Sequence, residues 1–249
     1  MKKLFLFLFP LLMLFSCNDG KKEYYPKSIV GTTIVVDSTL DEEPYQPAIE
    51  VLNKYKPKVD NITDSVIGYN NQLLAKSTKK SFIGDFISDV IIVEAENVFK
   101  TKVDMSIMNN GGIRNDLPKG EVTLGDIFKV SPFENNLVLI KLKGKDIKDM
   151  FNTFTKQYKP SFGGATLKMI SENNNSLYIN GNPVEDDKEY VIATIDFLLD
   201  GGDGFFNVDL VKDDNTMYSS VLLRDALANY VINNSPINYK SNNRLVINY

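Results

Sequence analysis

The sequence predicts an α+β fold, one domain in which sheets and helices are layered about a common core. Three observations lead there. Strand-like runs and stretches of helical apolar periodicity follow one another irregularly, without the strict alternation of a parallel βαβ array. No segment repeats elsewhere in the chain. The 249 residues are 43% apolar and 11% aromatic, enough to fill one large core.

The N-terminus stands apart from that domain. Met1-Lys2-Lys3 leads into residues 4–15, uncharged and interrupted only by Pro10, and Ser16-Cys17 follows. This is the order of a secretory signal. Residues 4–15 are too few to cross a bilayer, which takes roughly 20. We expect a signal over residues 1–16, a polar tether over 17–27 and the domain over 28–249.

Within the domain, Ile34-Val35-Val36 predicts a strand because the run is β-branched. Ala48, Ile49, Val51, Leu52 and Tyr55 recur at helical spacing after Pro47, and Pro57 is expected to end that helix. Ser81 to Lys100 is the strongest helix, with Ser81 as N-cap and Phe82, Phe86, Val90 and Val93 or Ala95 on one face. Val103 to Met108 reads as a buried strand running into Asn109-Asn110-Gly111-Gly112. Thr123 opens a short helix to Val130, and Asn136 to Leu142 alternates as a half-buried strand does. A helix follows over Asp146–Gln157, then strands at Ala165–Ile170 and Ser176–Ile179, with hairpin chemistry at Asn180-Gly181-Asn182. Tyr190 to Phe197 is a strand, Ser219 to Ile232 the last helix and Leu245 to Ile247 the last strand.

Composition removes whole classes of chemistry. The chain has no histidine, which excludes Ser-His-Asp triads, histidine general acids and zinc sites of the usual kind. Its single cysteine, Cys17, leaves no thiol for the domain and no internal disulfide. A net charge of −4 with dispersed basic residues implies no nucleic-acid partner. A carboxylate-only Mg²⁺ or Mn²⁺ site survives these exclusions.

Three segments carry unusual chemistry. In Asn109-Asn110-Gly111-Gly112-Ile113-Arg114, glycines after a strand expose backbone N–H groups beside one of only three arginines. Such a turn suits an anion, and an ordinary turn with a solvated arginine fits the same residues. Ser131-Pro132-Phe133-Glu134-Asn135-Asn136 holds an aromatic in a loop ahead of amide side chains. The phenyl ring can stack on a base or fold into the core. Phe197 stands six residues ahead of Asp203 in Asp200-Gly201-Gly202-Asp203-Gly204-Phe205. That carboxylate can accept from vicinal hydroxyls of a ribose, or cap its own turn.

Taken in order and spacing, these segments resemble the C-terminal, substrate-binding domain of the 5'-nucleotidase family. Its pattern is Asn-Gly-Gly-Gly-Ile-Arg, then Pro-Phe-Gly-Asn, then Phe followed six residues on by the aspartate of Gly-Gly-Asp-Gly-Phe. Gly84-Asp85-Phe86-Ile87-Ser88-Asp89 and Lys141-Leu142-Lys143-Gly144-Lys145-Asp146-Ile147 resemble two of its helix entries. The resemblance spans Ser28 to Tyr249 and implies a layered α/β/β/α domain. It also implies a site for a nucleoside monophosphate or nucleoside. In it Arg114 binds phosphate, Asn109 lies near the reacting group, Phe133 and Phe197 sandwich the base, Asn135 touches the base edge, and Asp203 accepts from the ribose. Ser77, Asn110, Glu134 and Asp200 depart from the family pattern, at positions of an arginine, two glycines and an asparagine.

Leu14-Phe15-Ser16-Cys17 resembles a bacterial lipobox, which implies an exported protein lipidated at Cys17 and held at the outer membrane or a periplasmic face. The family's metallophosphoesterase domain, with its two metals and catalytic His-Asp pair, finds no counterpart among these residues. We therefore expect no catalytic residue, metal or cofactor in this chain, and two divalent metals on a separate metallophosphatase partner. A stand-alone lipoprotein that binds nucleosides or sugar nucleotides is the alternative.

Overall fold

The computed structural model describes residues 28, 30–37, 45–77, 81–157, 160–171 and 174–247. The expected signal, Cys17 and the tether lie outside them. Contacts divide the chain into Met1–Ile49 and Glu50–Tyr249. In the first unit the predicted strand is missing: residues 30–36 are non-regular, and Ile34 and Val36 are 76% and 86% exposed. A β-branched run becomes a strand only by pairing and packing, and among the described residues no strand lies alongside it.

Helix α1 (Gln46–Thr63) passes through Pro57 and has no buried residue. The prolyl ring removes one intrahelical bond, but the carbonyl it frees faces water. The Lys56–Asp60 pair at 2.5 Å flanks Pro57, and the Thr63 hydroxyl donates to Val59 O in the last turn. Next come β1 (Val66–Asn70), α2 (Phe82–Phe99), β2 (Met105–Met108), β3 (Gly120–Thr123) and α3 (Leu124–Val130). Ser81 caps α2 by accepting from Gly84 N–H, and Thr123 and Asp126 cap α3 reciprocally. The buried face of α2 is Ile83, Phe86, Ile87, Val90, Ile91 and Ala95, whereas the predicted Phe82 and Val93 are 41% exposed.

The chain continues through β4 (Asn136–Lys143), α4 (Gly144–Gln157), β5 (Ser161–Gly163), β6 (Ala165–Ser171), β7 (Asn174–Ile179) and β8 (Asn182–Pro183). It ends with β9 (Glu189–Ile195), α5 (Asp196–Leu199), β10 (Thr216–Leu222), α6 (Leu223–Asn234) and β11 (Leu245–Ile247). The sheets, in described strands, are β10-β4-β9-β2-β5, β11-β6-β7-β8 and the pair β1-β3. The chain crosses from the first to the second at Gly164, whose φ is +71° and whose missing Cβ would meet Asp104 O at 2.4 Å. Asn180 and Gly181, both at positive φ, turn β7 into β8 as expected.

Two readings change here. Residues 216–222 form a strand, paired through Thr216↔Ile140 to Tyr218↔Val138, and the last helix begins only at Leu223. In β4, Leu137 to Ile140 are all buried, because β9 and β10 flank it and both sheet faces are covered. This is the expected α+β class: helices packed on a mixed sheet, with a second sheet beside it.

That topology also builds the site. Strand β9 runs parallel to β2 and antiparallel to β4. The C-terminal ends of β2 and β9 and the N-terminal end of β4 therefore open on the same sheet edge. The three singled-out segments are the loops at those ends.

Candidate functional site

At that edge Asn109, Gly111, Gly112, Arg114, Phe133, Asn135, Phe197 and Asp203 line one cavity of about 360 Å³. All six residues singled out in the sequence are among them. The volume falls within the range of small-molecule sites, roughly 300–1,000 Å³.

Asn109 follows β2 and is 5% exposed. Its Nδ2 donates to Asp203 Oδ2 at 2.7 Å, and its Oδ1 is buried without a partner. A side chain at position 112 would displace Asn109 or Met108, since a Cβ there would lie 2.7 Å from Asn109 Oδ1 and 2.8 Å from Met108 Cε. Glycine at 112 thus lets the loop fold over the asparagine. Asn110, which stands where the family has glycine, accepts from the Ser161 hydroxyl at 2.7 Å.

Arg114 is fixed at its backbone, where its N–H donates to Val130 O at 2.9 Å. Its guanidinium carbon lies 5.0 Å from the centroid of the Phe133 ring, a cation–π contact. Phe133 and Phe197 are 39% and 42% exposed. Neither ring is folded into the core, so the core reading of Phe133 is set aside by its exposure. Phe197 sits on the single turn α5 rather than at the end of a strand. Gly202 packs beneath it: a Cβ at 202 would come within 2.4 Å of both a ring carbon and the backbone oxygen of Phe197.

Asp203 occupies the left-handed region at φ 55°, ψ 9°, between Gly201 and Gly204, both at positive φ. A non-glycine residue held there is strained, and such strain clusters where a side chain is being aimed. The turn points the carboxylate into the cavity, where Asn109 holds one oxygen.

Two supports escaped the sequence reading. Asp196, immediately before Phe197, bonds to both sides of the cavity. Arg224 on α6 donates from Nη2 to Glu134 Oε1 at 3.1 Å and lies 4.9 Å over the Phe128 ring. The departure from glycine at position 134 therefore has a partner. Asp196 is adjacent to Phe197 in sequence, but its bond to Asn136 is long-range, and Arg224 reaches Glu134 only through the fold.

The cavity contains one carboxylate and the chain has no histidine. That donor set does not fit a two-metal hydrolytic centre, so no bond-breaking step is assigned to these residues. Among the described residues no helix is long and apolar enough to cross a membrane.

The backbone shares its fold with solved nucleotidase chains. It matches the crystal structure of a 5'-nucleotidase precursor from Thermus thermophilus with a TM-score of 0.70 at 22% identity, covering 81% of this chain and 43% of that one. It matches the NAD nucleotidase of Haemophilus influenzae with a TM-score of 0.59 at 18% identity, covering 82% and 40%. The family model described as "5'-nucleotidase, C-terminal domain" matches residues 59–209, and the chain belongs to that family. Among its relatives, protein UshA of Escherichia coli is 30% identical over 171 residues, 66% of this chain and 30% of that protein. The trifunctional nucleotide phosphoesterase protein YfkN of Bacillus subtilis is 28% identical over 200 residues, 70% of this chain and 13% of that protein. The chain thus spans a third or less of these relatives.

Proposed function

We propose that this chain is a nucleotide- and nucleoside-binding lipoprotein that supplies the substrate-binding half of a split 5'-nucleotidase. The observation that carries this reading is the convergence of six residues, from three loops far apart in sequence, on one cavity. Phe133 and Phe197 stack the base, and each half-exposed ring offers a face that a base covers on binding, worth about 1–3 kcal/mol per base. Asn135 contacts the base edge, Asp203 accepts from the ribose hydroxyls, Arg114 pairs with the phosphate, and Asn109 lies beside the reacting group.

Phosphate-ester hydrolysis belongs in this reading to a separate metallophosphatase chain, which carries the two divalent metals. The present chain binds and orients the nucleotide, and lipidation at Cys17 confines it to a bacterial membrane surface, exported to the outer membrane or a periplasmic face. Confinement raises the effective concentration of the two chains for each other.

The test is phosphate release. Purified protein with Mn²⁺ leaves AMP intact, and a metallophosphatase from the same cell, added to it, releases phosphate faster than that enzyme alone. Turnover by this chain alone refutes the split. Tight nucleoside binding with no effect on any phosphatase leaves the stand-alone binding protein as the better account.

A further inference from the structure

We propose that Asp196 is a positioning residue that sets the spacing of the two phenyl walls, and through it the affinity of the site for a base. The inference rests on the reading of Phe133 and Phe197 as those walls. Strands β4 and β9 pair as far as Leu137↔Ile195. One step further the backbone ladder ends, because the chain turns into α5 at Asp196. The carboxylate of Asp196 takes over the pairing there. Its Oδ2 accepts from the backbone N–H of Asn136 at 3.0 Å and from Asn136 Nδ2 at 2.9 Å, and its Oδ1 accepts from the backbone N–H of Phe197 at 2.8 Å.

One half-buried side chain thus joins the residue after Asn135 to Phe197 itself. The same C-terminal limb of the Phe133 loop is also tied to α6: Leu223 N–H donates to Asn135 O at 2.8 Å, and Arg224 holds Glu134. Asp196 is the side chain that joins this loop to Phe197, as Asn109 joins the β2 loop to Asp203. A carboxylate suits the task because three donors converge on it from two sides, and an anion has acceptor capacity for all three. An amide at this position must turn a donor toward one side or the other. It keeps the near bond to Phe197 and meets the donors of Asn136 with its own N–H groups.

Titration calorimetry on the intact protein tests this with AMP, adenosine and ribose 5-phosphate. Asp196→Asn is expected to weaken AMP and adenosine on the order of 10-fold, the scale of lost hydrogen bonds to a charged acceptor. Ribose 5-phosphate, which has no base to sandwich, keeps its wild-type affinity. The exchange Asp196→Asn with Asn136→Asp sets the new amide donor against a new carboxylate, and recovers most of the base-dependent loss. Equal loss for all three ligands, or unchanged AMP affinity, overturns the positioning role. Should Asp196→Asn not fold, Asn136→Ala removes only the side-chain arm, and a base-selective loss of about threefold is expected; its absence overturns the proposal equally. If the wild-type protein binds neither AMP nor adenosine, the base-wall reading itself fails, a result distinct from failure of the tie.

Discussion

Replacing Asp203 by Asn separates the ribose contact from the fold that presents it. Asparagine tolerates the left-handed conformation that Asp203 adopts at φ 55°. Its side-chain oxygen can still accept from Asn109 Nδ2, the contact now made at 2.7 Å. The melting temperature should therefore change little. Binding should not be spared. A carboxylate can take both ribose hydroxyls, whereas the amide has one acceptor oxygen, already engaged by Asn109, and offers N–H groups where acceptors are needed. A hydrogen bond to a charged group contributes about 1.5–3 kcal/mol, so adenosine should bind roughly 10- to 150-fold more weakly. The assay is a cycle in calorimetry: wild type and Asp203→Asn, each with adenosine and 2'-deoxyadenosine. Wild type loses affinity when the 2'-hydroxyl is removed, and the variant loses little more. If the two proteins discriminate equally between the ligands, Asp203 does not read the ribose.

Gly202→Ala should drive the Phe197 ring from its seat, since the new Cβ meets both ring and backbone within 2.4 Å; a loss of about 1–3 kcal/mol in stability is expected in chemical denaturation, together with weaker AMP binding. Arg244 is 6% exposed, pairs with Asp89, and donates to Phe162 O at 2.7 Å and Asp85 O at 3.0 Å. Arg244→Met strands those acceptors, and because Asp89 is partly solvated the cost should be about 2–3 kcal/mol, below that of a fully buried pair; the shift in a urea denaturation midpoint measures it. Burial pushes the Glu94 carboxyl up, against a lowering bond from Asn97. A raised carboxylate penalises the fold once the pH exceeds the unfolded value of about 4.3 and not below it. Glu94→Gln should accordingly raise the melting temperature at about pH 7, with the gain closing toward about pH 4; a constant gain across that range refutes the assignment.

How far the sequence could be read depended on whether a signal was local. The caps at Ser81 and Thr123, the Asn180-Gly181 turn and the loop glycines state their conformations in a few residues, and each was legible. The segment at 216–222 was not, because Ser219 and its neighbours have no strong period of their own and become a strand only against β4. Ile34-Val35-Val36 erred the other way, with high β-propensity but no described strand alongside. Pro57 misled because a proline ends a helix only where the lost bond cannot be replaced by solvent. For the site, six of the eight lining residues came from the resemblance of three ordered segments to the nucleotidase family, and their meeting at one sheet edge needed the parallel pairing of β2 with β9, a long-range fact. Asp196 stayed hidden for the same reason. Its role lies in a bond to Asn136, which no local pattern announces.

The central claim is that this chain holds a nucleotide without hydrolysing it. Phosphorus-31 NMR of AMP titrated with the protein in the presence of Mg²⁺ tests both halves in one sample. The account predicts a saturable shift or broadening of the AMP resonance, abolished by Arg114→Gln, with no inorganic phosphate signal growing in over hours. An AMP resonance that never responds, or a phosphate signal that grows in proportion to this chain alone, contradicts it.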